Sequence, residues 1–135
     1  METSELTYKK FEHNKSINEL EYDTLIWISG FEFIKTELAF LKKLIQSNSF
    51  KSRIPNLYER LQLFIQEIDL LQKNNQRILH KLTKQHNNLS GELYYESFQL
   101  IAYEKLAEKI FNYTTTYQNF KIRIFEYLES ILKQE

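Results

Sequence analysis

From Leu20 to Ile45 the residues Leu20, Thr24, Trp27, Phe31, Ile34, Leu38, Leu41 and Ile45 follow one another at alternating steps of four and three. Such spacing draws a single stripe along a helix and fits no other regular element. It runs straight through "IWISGFEF" at 26–33, where Trp27, Ser29, Phe31 and Phe33 alternate as a strand would. The longer rhythm takes precedence. Gly30 is then a residue inside a helix, costing about 1 kcal/mol in helix propensity.

The same rhythm recurs twice. Leu57, Leu61, Phe64, Ile68, Leu71, Asn75, Ile78, Leu82, Gln85 and Leu89 form a second seam, and Tyr103, Leu106, Ile110, Tyr113, Tyr117, Phe120, Ile124, Tyr127 and Ile131 form a third. Punctuation is sparse. The chain has one proline and two glycines in 135 residues, too few turn-formers for a β-fold. "SINE" offers Ser16 as a cap with Glu19 three residues on, Pro55 sits where a second helix should begin, and "HNNLSG" (86–91) reads as the second turn. The expected helices span about 16–48, 55–87 and 92–134, after a flexible N-terminal arm over 1–15. Thr114 to Thr116 lower helix propensity, and their hydroxyls can bond back to the preceding turn, so a bend is expected there if anywhere.

Three long helices joined by short turns run up, down and up. The fold class is therefore all-α, an antiparallel bundle of three long helices over residues 16–135 with coiled-coil-like heptad packing. In this register the third helix outruns the first by about 15 Å. Phe125, Leu128, Ile131 and Leu132 lie on that overhang, which calls for a cover: Phe50 and Ile54 of the first turn, or a second copy of the chain.

Composition excludes several functions. Lys plus Arg and Asp plus Glu balance at 18 each, which leaves no global field to draw in nucleic acid or an anionic membrane. The absence of cysteine removes thiolate chemistry, disulfides and zinc–thiolate sites, and fits a cytoplasmic protein. No apolar run approaches the roughly 18 residues of a membrane span. Three histidines, none in a Glu-x-x-His or His-x-x-x-His arrangement, predict no metal site; His80 and His86 are six apart and point to different faces. With no nucleophile motif and no phosphate loop, no catalytic residue, cofactor or enzymatic activity is expected.

Polar residues close to the seams are more informative. Asp23, Gly30, Glu37 and Leu44 make a column between the seam of the first helix and the column of Ile26, Phe33 and Phe40, which puts Gly30 inside the expected buried arc. The register brings it level with Asn74 or Asn75 and with Tyr103 to Leu106. Two readings follow for Trp27, Gly30, Phe31, Glu37, Asn75 and Tyr103. One is a polar layer that fixes register, with tyrosine hydroxyls satisfying the amide and the acids. The other is a small internal pocket for a ligand. The aromatic residues fall on the seams and the cations among glutamates, so the rings are read as core packing and not as a nucleic-acid platform.

"YKKFEHNKSINELEY" followed by "FIKTELAFLKKLI" resembles the openings of small, uncharacterised all-helical cytoplasmic proteins of Bacteroidetes. The resemblance implies a bacterial, cytoplasmic, all-helical protein and carries no chemistry with it. The expected function is that of a non-enzymatic interaction or scaffold protein. Its expected partner is a second copy, held through the C-terminal part of the third helix, or another helical protein. The alternative is a small-ligand-binding or sensing bundle with its pocket around Gly30.

Overall fold

Each of the three seams becomes one helix. The structure, a computed structural model, describes residues 17–47, 54–90 and 97–133. α1 is Ile17–Gln46, α2 is Leu57–Ser90 and α3 is Ser97–Lys133, and no strand occurs among the described residues. Contacts set the directions. Asn75 of α2 meets Phe31 of α1, and Asp69, earlier in α2, meets Lys42, later in α1. Tyr113 of α3 meets Leu71, and the later Arg123 meets the earlier Glu67. α1 and α3 run parallel, with Tyr103 against Asp23 and Lys121 against Glu37. This is an up-down-up, all-α three-helix bundle.

The seams are the core. Phe31, Ile34, Leu38, Leu41 and Ile45 of α1 share one buried cluster with Leu61, Phe64, Ile68, Leu71, Ile78 and Leu82 of α2 and with Ile110, Tyr117, Phe120 and Ile124 of α3. α1 and α2 approach each other more closely than either approaches α3. Bulk on α3 accounts for this, since Tyr103, Tyr113, Tyr117 and Phe120 stand between it and its neighbours while Leu and Ile fill most of the α1–α2 contact. Phe64 meets Phe120 edge-on at 6.0 Å, and Phe31 stacks on Tyr113 at 5.1 Å.

Element ends differ from expectation where turn chemistry intervenes. Pro55 precedes α2 instead of opening it: Asn56 adopts a left-handed φ of 58°, and its carbonyl accepts from Arg60 N at 3.0 Å. Asn tolerates that conformation better than most residues. α2 continues through "HNNLS" to Ser90, so the expected turn from 86 is helix up to that point. α3 is unbroken at 114–116, where Thr114 Oγ1 donates to the Ile110 carbonyl at 2.7 Å within the helix. The N-terminal arm over 1–15, the cap at Ser16 and Phe50 lie outside the described residues.

The overhang of α3 is smaller than its sequence register suggested. Leu128 and Ile131 are buried in the same core that takes in Ile54 and Leu57, so half of the expected self-association set is spent inside the chain. α3 sits further along than expected, with Tyr113 rather than a residue near 106 stacked on Phe31. That shift draws its last turns down beside the start of α2. Phe125 and Leu132 remain exposed.

Candidate functional site

Midway along the bundle lies a polar layer. Asn75 is 2% exposed, and its Nδ2 donates to the Phe31 carbonyl at 3.1 Å. The Tyr113 hydroxyl donates to the Leu71 carbonyl at 2.8 Å. Burial pushes the Tyr113 phenol up to about 12, against a smaller opposing hydrogen bond from Asn75. Nearer the start of α1, Trp27 and Tyr103 rings lie 5.3 Å apart, and the Tyr103 hydroxyl donates to Asp23 Oδ2 at 2.9 Å. Thr24, wholly buried on the seam, satisfies its hydroxyl on the Leu20 carbonyl at 2.7 Å. Each of these polar groups spans two helices or closes on its own turn, which is how a core holds polar atoms at small cost.

Of the six residues expected at this layer, Phe31, Asn75 and Tyr103 are buried and Trp27 and Glu37 are half-buried. Gly30 is a correction. It is exposed, and a Cβ built on it would meet nothing within 4 Å. The buried arc is centred on the seam itself. It does not extend to Ile26, Phe33 and Phe40, which are 51%, 64% and 62% exposed. Gly30 therefore lies outside the buried arc, and the glycine stands on the rim between α1 and α3. Glu37 pairs there with Lys121 at 3.1 Å instead of joining Asn75.

The outer columns make two unlike surfaces. Asp23, Gly30 and Glu37 flank the seam of α1 on its α3 side, and Ile26, Phe33 and Phe40 lie one column further out. On α3, Lys121 faces α1, and Phe125 and Leu132 lie one column beyond it. Both apolar columns therefore border the same α1–α3 face. The Lys121 ammonium, paired to Glu37, also lies 5.9 Å from the Phe125 ring. Opposite signs thus cancel at the floor of this face.

The groove between α2 and α3 has the other character. Its larger part, about 470 Å³, has an apolar side formed by Leu70, Ile78, Tyr113 and Phe120 and carries Arg77, Lys81 and Lys109. A second part of about 270 Å³ shares Lys81 and Lys109 and adds Lys84 and Lys105, with no acidic residue lining it among the described residues. The Lys81 amine is held below the ordinary lysine range, first by the neighbouring Lys109 amine and its charge, then by desolvation and by Arg77. Where acids enter, at the far end, Glu67 is already engaged in a two-pronged pair with Arg123 at 2.7 and 3.0 Å. These cations were not expected as a group. The signal was present as Arg77, Lys81 and Lys84 one turn apart on α2 and as Lys105 and Lys109 on α3.

Among the described residues no cluster of three or more His, Asp or Glu is placed to hold a metal ion, and no helix is long and apolar enough to cross a membrane. No family model, curated protein or solved structure matches this chain.

Proposed function

We propose that this protein is a non-enzymatic helical interaction module that pairs with a second copy of itself through the face between α1 and α3. One observation carries the reading: Ile26, Phe33, Phe40, Phe125 and Leu132 are large apolar side chains left 46–64% exposed in two columns along one face. At about 200 Å² for a large apolar side chain they offer roughly 500 Å² per copy, hence about 1,000 Å² in a symmetric pair, the lower limit for a specific interface. Charge favours a like partner. The chain is neutral, and the ion pair at the floor of the face leaves no single-sign field to repel a second copy. A two-fold pair would set the α1 column of one copy against the α3 column of the other.

Phe125 and Leu132 keep the self-association role expected of them, while Leu128 and Ile131 leave it for the core. No ligand pocket at Gly30 enters this reading. A cytoplasmic setting, expected from the cysteine-free composition, belongs to the same proposal.

The test is mass against concentration. Sedimentation velocity over a dilution series should give a species of twice 16.4 kDa that dissociates on dilution. A single 16.4 kDa species at all concentrations up to the millimolar range would end the proposal.

A further inference from the structure

We propose that the α2–α3 groove binds a small polyanion built on two or three linked phosphoryl groups, with Arg77, Lys81, Lys84, Lys105 and Lys109 as its cationic wall. The first argument is segregation. A chain with 18 positive and 18 negative residues has no net excess to distribute, yet five cations line adjoining parts of one groove, and the smaller part has no acid lining it among the described residues. Like charges placed together without a counter-charge oppose one another, so the arrangement is unfavourable until an anion enters. Lys81 and Lys109 line both parts of the groove from its two walls, which sets their charges against each other, and the Lys81 amine is held below the ordinary lysine range. A phosphoryl oxygen between them would accept from both and let both stay charged.

Size and surroundings narrow the ligand. From Arg77 to Lys84 the wall runs about 10 Å along α2, the length of a short phosphate chain and too little for the several consecutive phosphates a nucleic-acid strand presents. The larger part is of the size of small-molecule sites. Asn74, Asn112 and Thr116 stand along it as neutral hydrogen-bonding groups, and Leu70, Ile78 and Phe120 give it an apolar side. Phosphates would lie at the lysine end, with room for an organic group on the apolar side. The chemistry is shared by a nucleoside triphosphate and by inorganic triphosphate, and the two differ in whether the apolar side is used.

Isothermal titration of the full chain at low ionic strength, with ATP, inorganic triphosphate and inorganic phosphate as separate magnesium-free probes, tests this. Saturable one-site binding of a triphosphate is expected, at least tenfold weaker for inorganic phosphate. If the apolar side is engaged, ATP binds more tightly than inorganic triphosphate; equal affinity assigns the site to the phosphate chain alone. Lys81→Gln with Lys109→Gln should weaken binding at least tenfold. Lys35→Gln with Lys43→Gln, on exposed positions of α1, should leave it within twofold. Removing two mutually repelling charges does not threaten folding, and circular dichroism checks that it has not. A readout independent of affinity is the ¹³Cε shift of Lys81, which should titrate below the ordinary lysine range in the free protein and return upward with ligand bound. Absence of saturable binding to either triphosphate would overturn the proposal. So would equal loss in the two double variants, or a fifteen-residue thymidine oligomer binding more tightly than either triphosphate.

Discussion

α3 is flanked by two surfaces built on the same plan and filled with opposite chemistry. Towards α1, the columns beside the seam carry Phe33, Phe40, Phe125 and Leu132 over a cancelled Glu37–Lys121 pair. Towards α2, the equivalent columns carry Lys81, Lys84, Lys105 and Lys109, with no acid beside them among the described lining residues. Between them the seam of α3 is buried, and α2 approaches α3 more closely than α1 does. What differs lies one column out, where a helix is free to vary, and that difference is the basis of the two proposals, an apolar partner for one face and an anionic one for the other.

The largest expected effect separates seam from outer column on α3. Phe120, 1% exposed under the α2–α3 groove, should cost about 3–5 kcal/mol on truncation to alanine, read by urea unfolding. Phe125, 46% exposed on the α1–α3 face, should change unfolding of the dilute monomer by within about 0.5 kcal/mol when truncated likewise. A large loss at Phe125 in dilute solution would mean that the α1–α3 face is core and not surface.

Two tyrosines one turn apart on α3 sharpen the comparison at intermediate size. Tyr113→Phe removes a buried hydrogen bond to the Leu71 carbonyl and should destabilise by about 1 kcal/mol. Tyr117, whose buried hydroxyl has no hydrogen-bond partner among the described residues, should accept Phe at no cost or with a small gain. The Tyr113 phenol also gives a pH signature. Its folded value near 12 lies above the unfolded value of 10, so the native state holds this proton more tightly. That contribution is complete below pH 10 and disappears as pH rises from 10 towards 12. Stability of the Tyr113→Phe protein should fall less steeply across that window.

The smallest effect is at Gly30. A methyl group there meets nothing within 4 Å in an exposed helix interior, so Gly30→Ala should stabilise by about 0.5–1 kcal/mol, raising the melting temperature. Destabilisation would mean that α3 closes over this position.

Much of this was legible in the sequence. The four-and-three spacing names the helices and nearly all of the core, because a seam that long has no other way to be buried, and Asn75 and Tyr103 announce themselves as polar residues on it. Gly30 misled for a physical reason. A helix in a three-helix bundle has two flanks, and a pattern on one helix does not say which flank the neighbours cover; the apolar column of Ile26, Phe33 and Phe40 widened the expected arc towards the side that stays open. Leu128 and Ile131 were misplaced by register, since a shift of α3 of more than one turn decides what overhangs. The cationic groove was hidden because Arg77, Lys81 and Lys84 on α2 and Lys105 and Lys109 on α3, where Glu104 and Glu108 alternate with them, are far apart in sequence. Only the pairing of α2 with α3 sorts them.

Sedimentation equilibrium on two double variants tests the central claim, that the α1–α3 face is an interface, most directly. Phe33→Glu with Phe40→Glu puts charge on that face, while Leu63→Glu with Leu70→Glu puts equal charge on exposed leucines of α2. At a concentration where the wild-type chain sediments at twice 16.4 kDa, the first pair should return it to 16.4 kDa with its helix content intact, and the second should leave the larger mass unchanged. A wild-type mass of 16.4 kDa, or loss of the larger species in the second pair and not the first, would contradict it.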